Sequence, residues 1–363
     1  MKKWTFSGIL ALILLLGSLV LLGCFFATEL FPSLAGGTEP TQTISTPTKD
    51  TTIEDSSSTQ TTEDTTTQDT TTEDTATEDT TTEDTTTEDT ATEDTSSGNE
   101  GAVYTVAATH AFVYEPASGT LLYSKGDMDQ RIAPASVTKL LTAYVGLQHL
   151  SCDTVLTVDA NTLALLSPYS SVAGLLDGYQ LTTEMCVQAM IMPSGNDAAH
   201  VLAVAAGRAI GGADLSPQAA LDTFMNEVNQ VAASIGMTNT HFVTPDGMDS
   251  SNHYTSLKDL VTLAQLVLQN DTLMKYARMY HQNLTLTSGQ SLSVKNTNLL
   301  LDPTSRYYTS GACGLKTGTT SKAGACLLSA FQKDGKYVIV GVFGCPTDST
   351  RYEDTLYLYK TYG

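Results

Sequence analysis

Three short clusters in this 363-residue chain carry the residue types of a serine acyl-transfer site: Ser136-Val137-Thr138-Lys139, Ser194-Gly195-Asn196 and Lys316-Thr317-Gly318. A serine hydroxyl attacks a carbonyl only when a base takes its proton. Lysine serves as that base only in its neutral form, which burial, the positive end of a helix and a second cation all favour. Residues at i and i+3 share a helix face, so the Lys139 amine can reach the Ser136 hydroxyl. Lys316 is the candidate second cation. Taken singly, each cluster has a plainer reading: a surface serine and lysine in a first helical turn, ordinary Ser-Gly-Asn turn chemistry, and a hairpin with solvated lysines. All three together, in this order, point to acyl transfer that needs neither histidine nor metal.

The flanking sequence says which elements hold these residues. Leu140-Leu141 and Ala143-Tyr144-Val145 follow the first cluster, so Ser136 is expected near the start of a largely buried helix. Thr182-Thr183-Glu184 opens a second helical run with a threonine cap and an early acid, continuing to Met192. Pro193 and Gly195 break that run, and Asp197-Ala198-Ala199-His200 begins another. Ser194 and Asn196 are therefore expected on a tight link between two helices. Around the third cluster, the stretches 311–320, 325–331 and 337–343 are separated by Ser321-Lys322-Ala323-Gly324 and Lys333-Asp334-Gly335-Lys336. That spacing predicts three antiparallel strands joined by hairpins. The first is rich in glycine and small residues, as an edge strand is where a ligand backbone lies close.

Residues from about 102 to the C-terminus resemble the catalytic domain of the low-molecular-weight penicillin-binding proteins, the serine-type D-alanyl-D-alanine carboxypeptidases. The resemblance is carried by Pro134-Ala135-Ser136 with Thr138-Lys139, by Met192-Pro193-Ser194-Gly195-Asn196-Asp197-Ala198-Ala199, and by Phe242-Val243-Thr244-Pro245-Asp246-Gly247-Met248 with His253-Tyr254-Thr255-Ser256 and Asp259-Leu260. Gly314-Leu315-Lys316-Thr317-Gly318 and Ala323-Gly324-Ala325-Cys326-Leu327 complete it. It implies an α+β fold (an α/β sandwich): an antiparallel five-stranded sheet flanked by helices, β-lactamase/transpeptidase-like. Val103–Tyr114 and Thr120–Ser124 would join the three late strands, and the chain's end would form a closing helix. The resemblance also implies roles. Ser136 attacks the carbonyl of the penultimate D-alanine, Lys139 takes its proton, and Ser194 relays a proton to the leaving D-alanine. Asn196 bonds a substrate amide, while Lys316 and Thr317, in the strand that continues through Gly318 and Thr319, hold the terminal carboxylate. The backbone amides of Ser136 and Thr319 make the oxyanion hole. The implied partners are peptidoglycan stem peptides and, as covalent inhibitors, β-lactam antibiotics; no cofactor or metal is implied.

Two other readings share these residues. Class A β-lactamases use a similar plan, but their triplet is usually Ser-Asp-Asn and a glutamate activates the deacylating water. Here the middle residue is Gly195, and Glu227 is the only glutamate between Ser194 and Lys316. Glu227 reads as the exposed face of an amphipathic helix. A stalked module that keeps the fold, binds stem peptides or β-lactams and turns over little is the third reading.

The front of the chain suggests a location. Lys2 and Lys3 form a short cytoplasmic region (residues 1–5) before an uncharged apolar run over residues 6–27, about the length that spans a bilayer. Leu21-Leu22-Gly23-Cys24 also matches a lipoprotein site with Cys24 as the lipidated residue; an uncleaved anchor is the preferred reading because Phe25 and Phe26 extend the run. Either way the domain at 102–363 faces the outside of a bacterial membrane. Residues 28–101 read as a disordered linker: seven pentads of the TTEDT type fill 61–95 and can bury no core. Such a coil reaches about 40–50 Å. The linker also explains the charge. Of the net −21, residues 1–100 supply −16, leaving the folded part mildly acidic. No basic patch points to nucleic acid. Five cysteines fall in the folded part (152, 186, 313, 326 and 345), with a disulfide between late strands conceivable, and the six histidines show no metal spacing.

Overall fold

The computed structural model describes residues 104–363; the readings of residues 1–5, 6–27 with Cys24, and 28–101 lie outside the described residues. In chain order the elements are β1 (His110–Glu115), β2 (Thr120–Lys125), α1 (Lys139–His149), β3 (Val155–Thr157), α2 (Ala160–Leu163), β4 (Gln180–Thr182), α3 (Thr183–Ile191), α4 (Asn196–Gly211), α5 (Pro217–Ser234), α6 (Leu257–Leu268), α7 (Asp271–Ala277), β5 (His281–Thr285), β6 (Ser291–Lys295), β7 (Ala312–Thr320), β8 (Gly324–Lys333), β9 (Lys336–Cys345) and α8 (Asp348–Tyr362). The helix starts follow local chemistry. Thr182, Ser216 and Ser256 each accept a hydrogen bond from an amide three residues on, and Pro217 occupies the first turn of α5.

The main sheet has five antiparallel strands in the order β2-β1-β9-β8-β7, so the strand bearing Lys316-Thr317-Gly318 is an edge. Both faces are buried, and alternation along β8 assigns its side chains to them. Cys326, Leu328 and Ala330 pack toward α1 and the helices that follow it. Ala325, Leu327 and Phe331 pack on the other side with Tyr352 and Leu358 of α8. Two small two-stranded sheets, β3-β4 and β5-β6, have no counterpart in the sequence reading. β1 begins later than the expected Val103, because the amides of Ala107 and Ala108 go to the Asp354 carboxylate of α8 instead of a strand. All five cysteines among the described residues are free thiols. Cys326 and Cys345 belong to opposite faces of the sheet, which rules out the conceivable late-strand bridge between them. Glu227 is half-buried on α5 and pairs with His149 at 3.2 Å, so it is not the freely exposed side chain expected. Among the described residues no helix is long and apolar enough to cross a membrane.

One buried relay joins the loop before α6 to the turn that carries Ser136. Thr138 Oγ1 donates to the Ala135 carbonyl at 2.9 Å, so the His253 nitrogen 2.9 Å from that hydroxyl, Nε2, carries the hydrogen. His253 Nδ1 then accepts from the Val243 amide at 3.2 Å. The ring stacks on Phe242 with centroids 4.8 Å apart. Every polar atom of the neutral imidazole is satisfied, and a second ring proton would face an N–H. Burial, the main cause, lowers the His253 pKa from 6.5 to about 4, against an opposing pull from Asp246. The unfolded chain therefore takes up this proton first as the pH falls. Stability from this group is complete above pH 6.5 and is lost as the pH falls toward 4. Urea unfolding across that window should show an acid-side loss of about 3 kcal/mol that a His253→Asn chain lacks; identical slopes in the two proteins would rule the relay out.

Candidate active site

Ser136 does not stand in the α-helix itself. It lies in a 3-10 turn, Ala135–Thr138, and Lys139 is the first residue of α1. The tighter turn serves the expected pairing well, because side chains at i and i+3 eclipse in a 3-10 helix. Lys139 Nζ lies 2.8 Å from Ser136 Oγ. The same nitrogen donates to Asn196 Oδ1 at 2.8 Å and to the main-chain oxygen of Asp246 at 2.8 Å. Asn196 opens α4, and Asp246 sits in the loop between α5 and α6, so three separate segments converge on one amine. Lys139 is fully buried, and this burial lowers its pKa to about 8 although Asp246 and Asp197 both favour the ammonium form.

Two non-glycine residues in the left-handed region flank this chemistry: Ala135, with φ 49°, directly precedes the serine, and Ser194, with φ 64°, forms the helix link. Such conformations cost about 1–3 kcal/mol and persist only where surroundings enforce them. For Ala135 the enforcement is the Thr138 hydrogen bond to its carbonyl and the Gly247 backbone, where an added Cβ would lie 1.9 Å from that oxygen. Gly195 is equally constrained. A Cβ there would meet Asp197 Oδ1 at 2.6 Å, the Ala189 oxygen at 2.7 Å and Ala173 Cβ at 2.8 Å. Asp197 is occupied: its carboxylate accepts from the amides of Ala173, Gly174 and Leu175 at 2.8–2.9 Å, fixing the segment that carries Ser171. The Ser171 carbonyl in turn accepts from the Asn196 amide at 2.7 Å.

Above the serine opens a cleft of about 380 Å³, lined by Ser136, Ser171, Ser194, Thr317, Gly318, Thr319 and Arg351 among others. β7 forms one wall, and Gly318 is where its backbone passes the nucleophile: a Cβ there would come within 3.0 Å of the Ser136 amide nitrogen. The structure adds to two expected roles. Lys316 is not on the cleft wall; it is 1% exposed and its Nζ donates to the Thr317 carbonyl at 3.1 Å. Alternation along β7 turns it inward beside Lys139, where burial first, then Lys139 and Arg351, push its pKa well below the ordinary lysine value. Asn196 gives its side-chain oxygen to Lys139, which leaves its Nδ2 donor for a substrate. The cation that does line the cleft is Arg351 of α8, which the sequence reading missed. Its guanidinium donates to the Gly318 carbonyl at 2.9 Å, the Cys326 carbonyl at 3.0 Å and Thr319 Oγ1 at 2.7 Å, and it also pairs with Asp348. Arg351 Nε is buried without a partner. Asp246 entered the sequence reading only within the run 242–248, with no role of its own. Among the described residues no cluster of metal-ligating side chains occurs.

Comparison with known proteins agrees with this geometry. The family model described as D-alanyl-D-alanine carboxypeptidase matches residues 93–347. A D-alanyl-D-alanine carboxypeptidase of Streptomyces sp. (strain K15) is 31% identical over 258 residues, covering 69% of this chain and 85% of that protein. DacF of Bacillus subtilis is 28% identical over 246 residues, and the match spans only 59% of its length. The crystal structure of the Streptomyces K15 DD-transpeptidase superposes with a TM-score of 0.64 at 29% identity, covering 72% of this chain and 98% of that one. Penicillin-binding protein D2 of Listeria monocytogenes, in its ampicillin-bound form, gives 0.58 at 28% identity, covering 72% and 99%. With a matching family model over most of its length and a serine-lysine pair at the floor of a shared fold, the chain belongs to the D-alanyl-D-alanine carboxypeptidase family.

Proposed function

We propose that the chain is a serine D-alanyl-D-alanine carboxypeptidase that removes the terminal D-alanine from peptidoglycan stem pentapeptides through an acyl-enzyme at Ser136. The observation that carries this reading is the buried Lys139 amine, 2.8 Å from a serine hydroxyl that opens on the cleft. Two of its three neighbours, Asn196 Oδ1 and the Asp246 carbonyl, can only accept hydrogen bonds. A neutral amine therefore spends its two N–H groups on them, and its lone pair points at Ser136. Ser136 Oγ attacks the carbonyl of the penultimate D-alanine as its proton passes to Lys139. The tetrahedral oxygen settles against the backbone amides of Ser136 and Thr319, and the close approach at Gly318 supports that placement. Donors of this kind are worth about 3–4 kcal/mol each in the barrier. Ser194 takes the proton back from Lys139 and relays it to the departing amine, so the lysine is again the free base. Water, activated by the same lysine, then releases the shortened peptide.

Thr317 and Arg351 hold the terminal carboxylate, and Lys316 acts from the interior as the second positive charge beside Lys139. The terminal N–H groups of Arg351 are already bonded to Gly318, Cys326, Thr319 and the exposed Asp348, so a substrate carboxylate would take the place of the Asp348 carboxylate. The lactamase reading is disfavoured by the site. Gly195 has no room for the aspartate of a Ser-Asp-Asn triplet, and no glutamate lines the cleft among the described residues. β-Lactams act here as substrate mimics that acylate Ser136. The N-terminal segment and linker support a place on the outer face of a bacterial membrane, held by a spanning helix or by lipid at Cys24.

Release of D-alanine from a diacyl-D-alanyl-D-alanine peptide tests the activity; a protein that takes up penicillin yet frees no D-alanine is the low-turnover module instead. Ser136→Ala should abolish labelling by fluorescent penicillin. The labelling rate should rise with pH through a midpoint near 8, where Lys139 becomes free base, and a rate flat across that range would remove Lys139 as the base. Arg351→Gln should cost about 10- to 100-fold in kcat/KM on a peptide ending in a free carboxylate. An equal loss on the amidated analogue would take the carboxylate away from Arg351.

A further inference from the structure

α4 brings two side chains to bear on Lys139, and only one belongs to the three clusters. Asn196 begins the helix and His200 follows one turn later, so both lie on the same face. Asn196 receives Lys139 Nζ directly. His200 Nε2 lies 3.4 Å from Asp246 Oδ2, and the main-chain oxygen of that same Asp246 receives Lys139 Nζ at 2.8 Å. One helix face therefore grips the lysine twice, by Asn196 at first hand and by His200 through Asp246. Both side chains of the pair are withdrawn from solvent, at 5% and 1% exposed.

The rest of the loop is pinned around this pair. Asp246 Oδ1 accepts from the Met248 amide at 3.1 Å, and Thr142 of α1 donates to the Pro245 carbonyl at 2.7 Å. His200 Nδ1 is buried with no partner. A hydrogen placed there would point at nothing, so the ring carries its hydrogen on Nε2 and donates it to the carboxylate. Burial alone would push Asp246 up, but this hydrogen bond and the Lys139 charge hold it well below the usual carboxylate range. The charged and titratable groups facing the pair are Lys139 from α1 and His253 from the loop beyond Asp246; Asp197, on the same helix as His200, and Lys316 from β7 face Lys139 instead.

We infer that His200 is a positioning residue of the acyl transfer: by donating to Asp246 it fixes the carbonyl that receives Lys139 and tempers the carboxylate charge that the amine faces. The inference rests on Ser136 and Lys139 acting as proposed above. A carboxylate stripped of a buried donor draws harder on the nearest cation, so losing His200 favours the ammonium form of Lys139. Losing the charge of Asp246 favours the free base, because that charge opposes the effect of burial on the lysine.

The test compares the full chain with His200→Val, His200→Gln and Asp246→Asn. Penicillin labelling is followed between about pH 6 and about pH 10, with thermal unfolding recorded on the same samples. His200→Val should slow labelling about tenfold near neutrality and move its midpoint about one unit to higher pH. His200→Gln, whose amide still donates, should restore most of the rate, and Asp246→Asn should move the midpoint to lower pH. Midpoints that coincide in the parent, His200→Val and Asp246→Asn proteins, whatever their rates or melting temperatures, would overturn the role of His200 and leave the serine chemistry standing. A parent chain without Ser136-dependent labelling would overturn both.

Discussion

A lysine amine cut off from water must be fully hydrogen-bonded and yet able to lose its charge, and the architecture around Lys139 is organised by that double demand. Burial disfavours the ammonium, while two carboxylates, Asp197 and Asp246, keep it from becoming so unstable that the folded state suffers. Neither carboxylate oxygen touches the amine. The amine instead meets neutral oxygens: a hydroxyl, an amide and a peptide carbonyl. A direct ion pair would lock the proton on the lysine, whereas neutral acceptors hold its position and leave it free to deprotonate. The surrounding devices then read as supports for those three oxygens. α4 delivers the amide, the loop before α6 delivers the carbonyl, and the 3-10 turn delivers the hydroxyl.

Much of this was legible in the residues alone. The serine-lysine spacing, the helix link at Ser194-Gly195-Asn196 and the glycine-rich edge strand are local patterns, and local patterns survive folding. Gly318 could be anticipated because close backbone approach leaves a residue-type trace. The sheet's late hairpins were marked by turn residues, and β1 was misjudged at its start only because Asp354, far away in sequence, takes two of its expected amides. What stayed hidden was hidden for different reasons. Asp246 touches Lys139 only through its main-chain oxygen, which every residue possesses, and its carboxylate acts on the amine without touching it. His200 lies among Val201, Leu202 and Ala203 on a core-facing helix, where periodicity marks it as packing. Arg351 reaches the cleft from a helix with weak amphipathic character, and nothing in Thr350-Arg351-Tyr352 says where the guanidinium points. Lys316 was legible as important but not in its orientation, since alternation along a strand fixes the face only when the neighbouring face is known.

Arg351 also shows how recognition and catalysis are tied in this site. It bonds the Gly318 carbonyl and the Thr319 hydroxyl, the two residues of β7 that pass the nucleophile. Arg351 therefore ties α8 to the strand that passes closest to Ser136. For the substrate proposed above, contact at the guanidinium would bear on the reacting carbonyl across a single residue, as expected where distal binding serves the transition state.

The order of strands has a further consequence, for the timing of synthesis. β1 pairs with β9, the last strand of the sheet, and Asp354 clasps the Ala107 amide across 247 positions of sequence. Contacts so distant close last, because the entropy of the intervening loop is lost before they reward it. A nascent chain can form α1 and present its serine long before β7 and Arg351 have left the ribosome. Until then the wall of the cleft that β7 and α8 supply is missing.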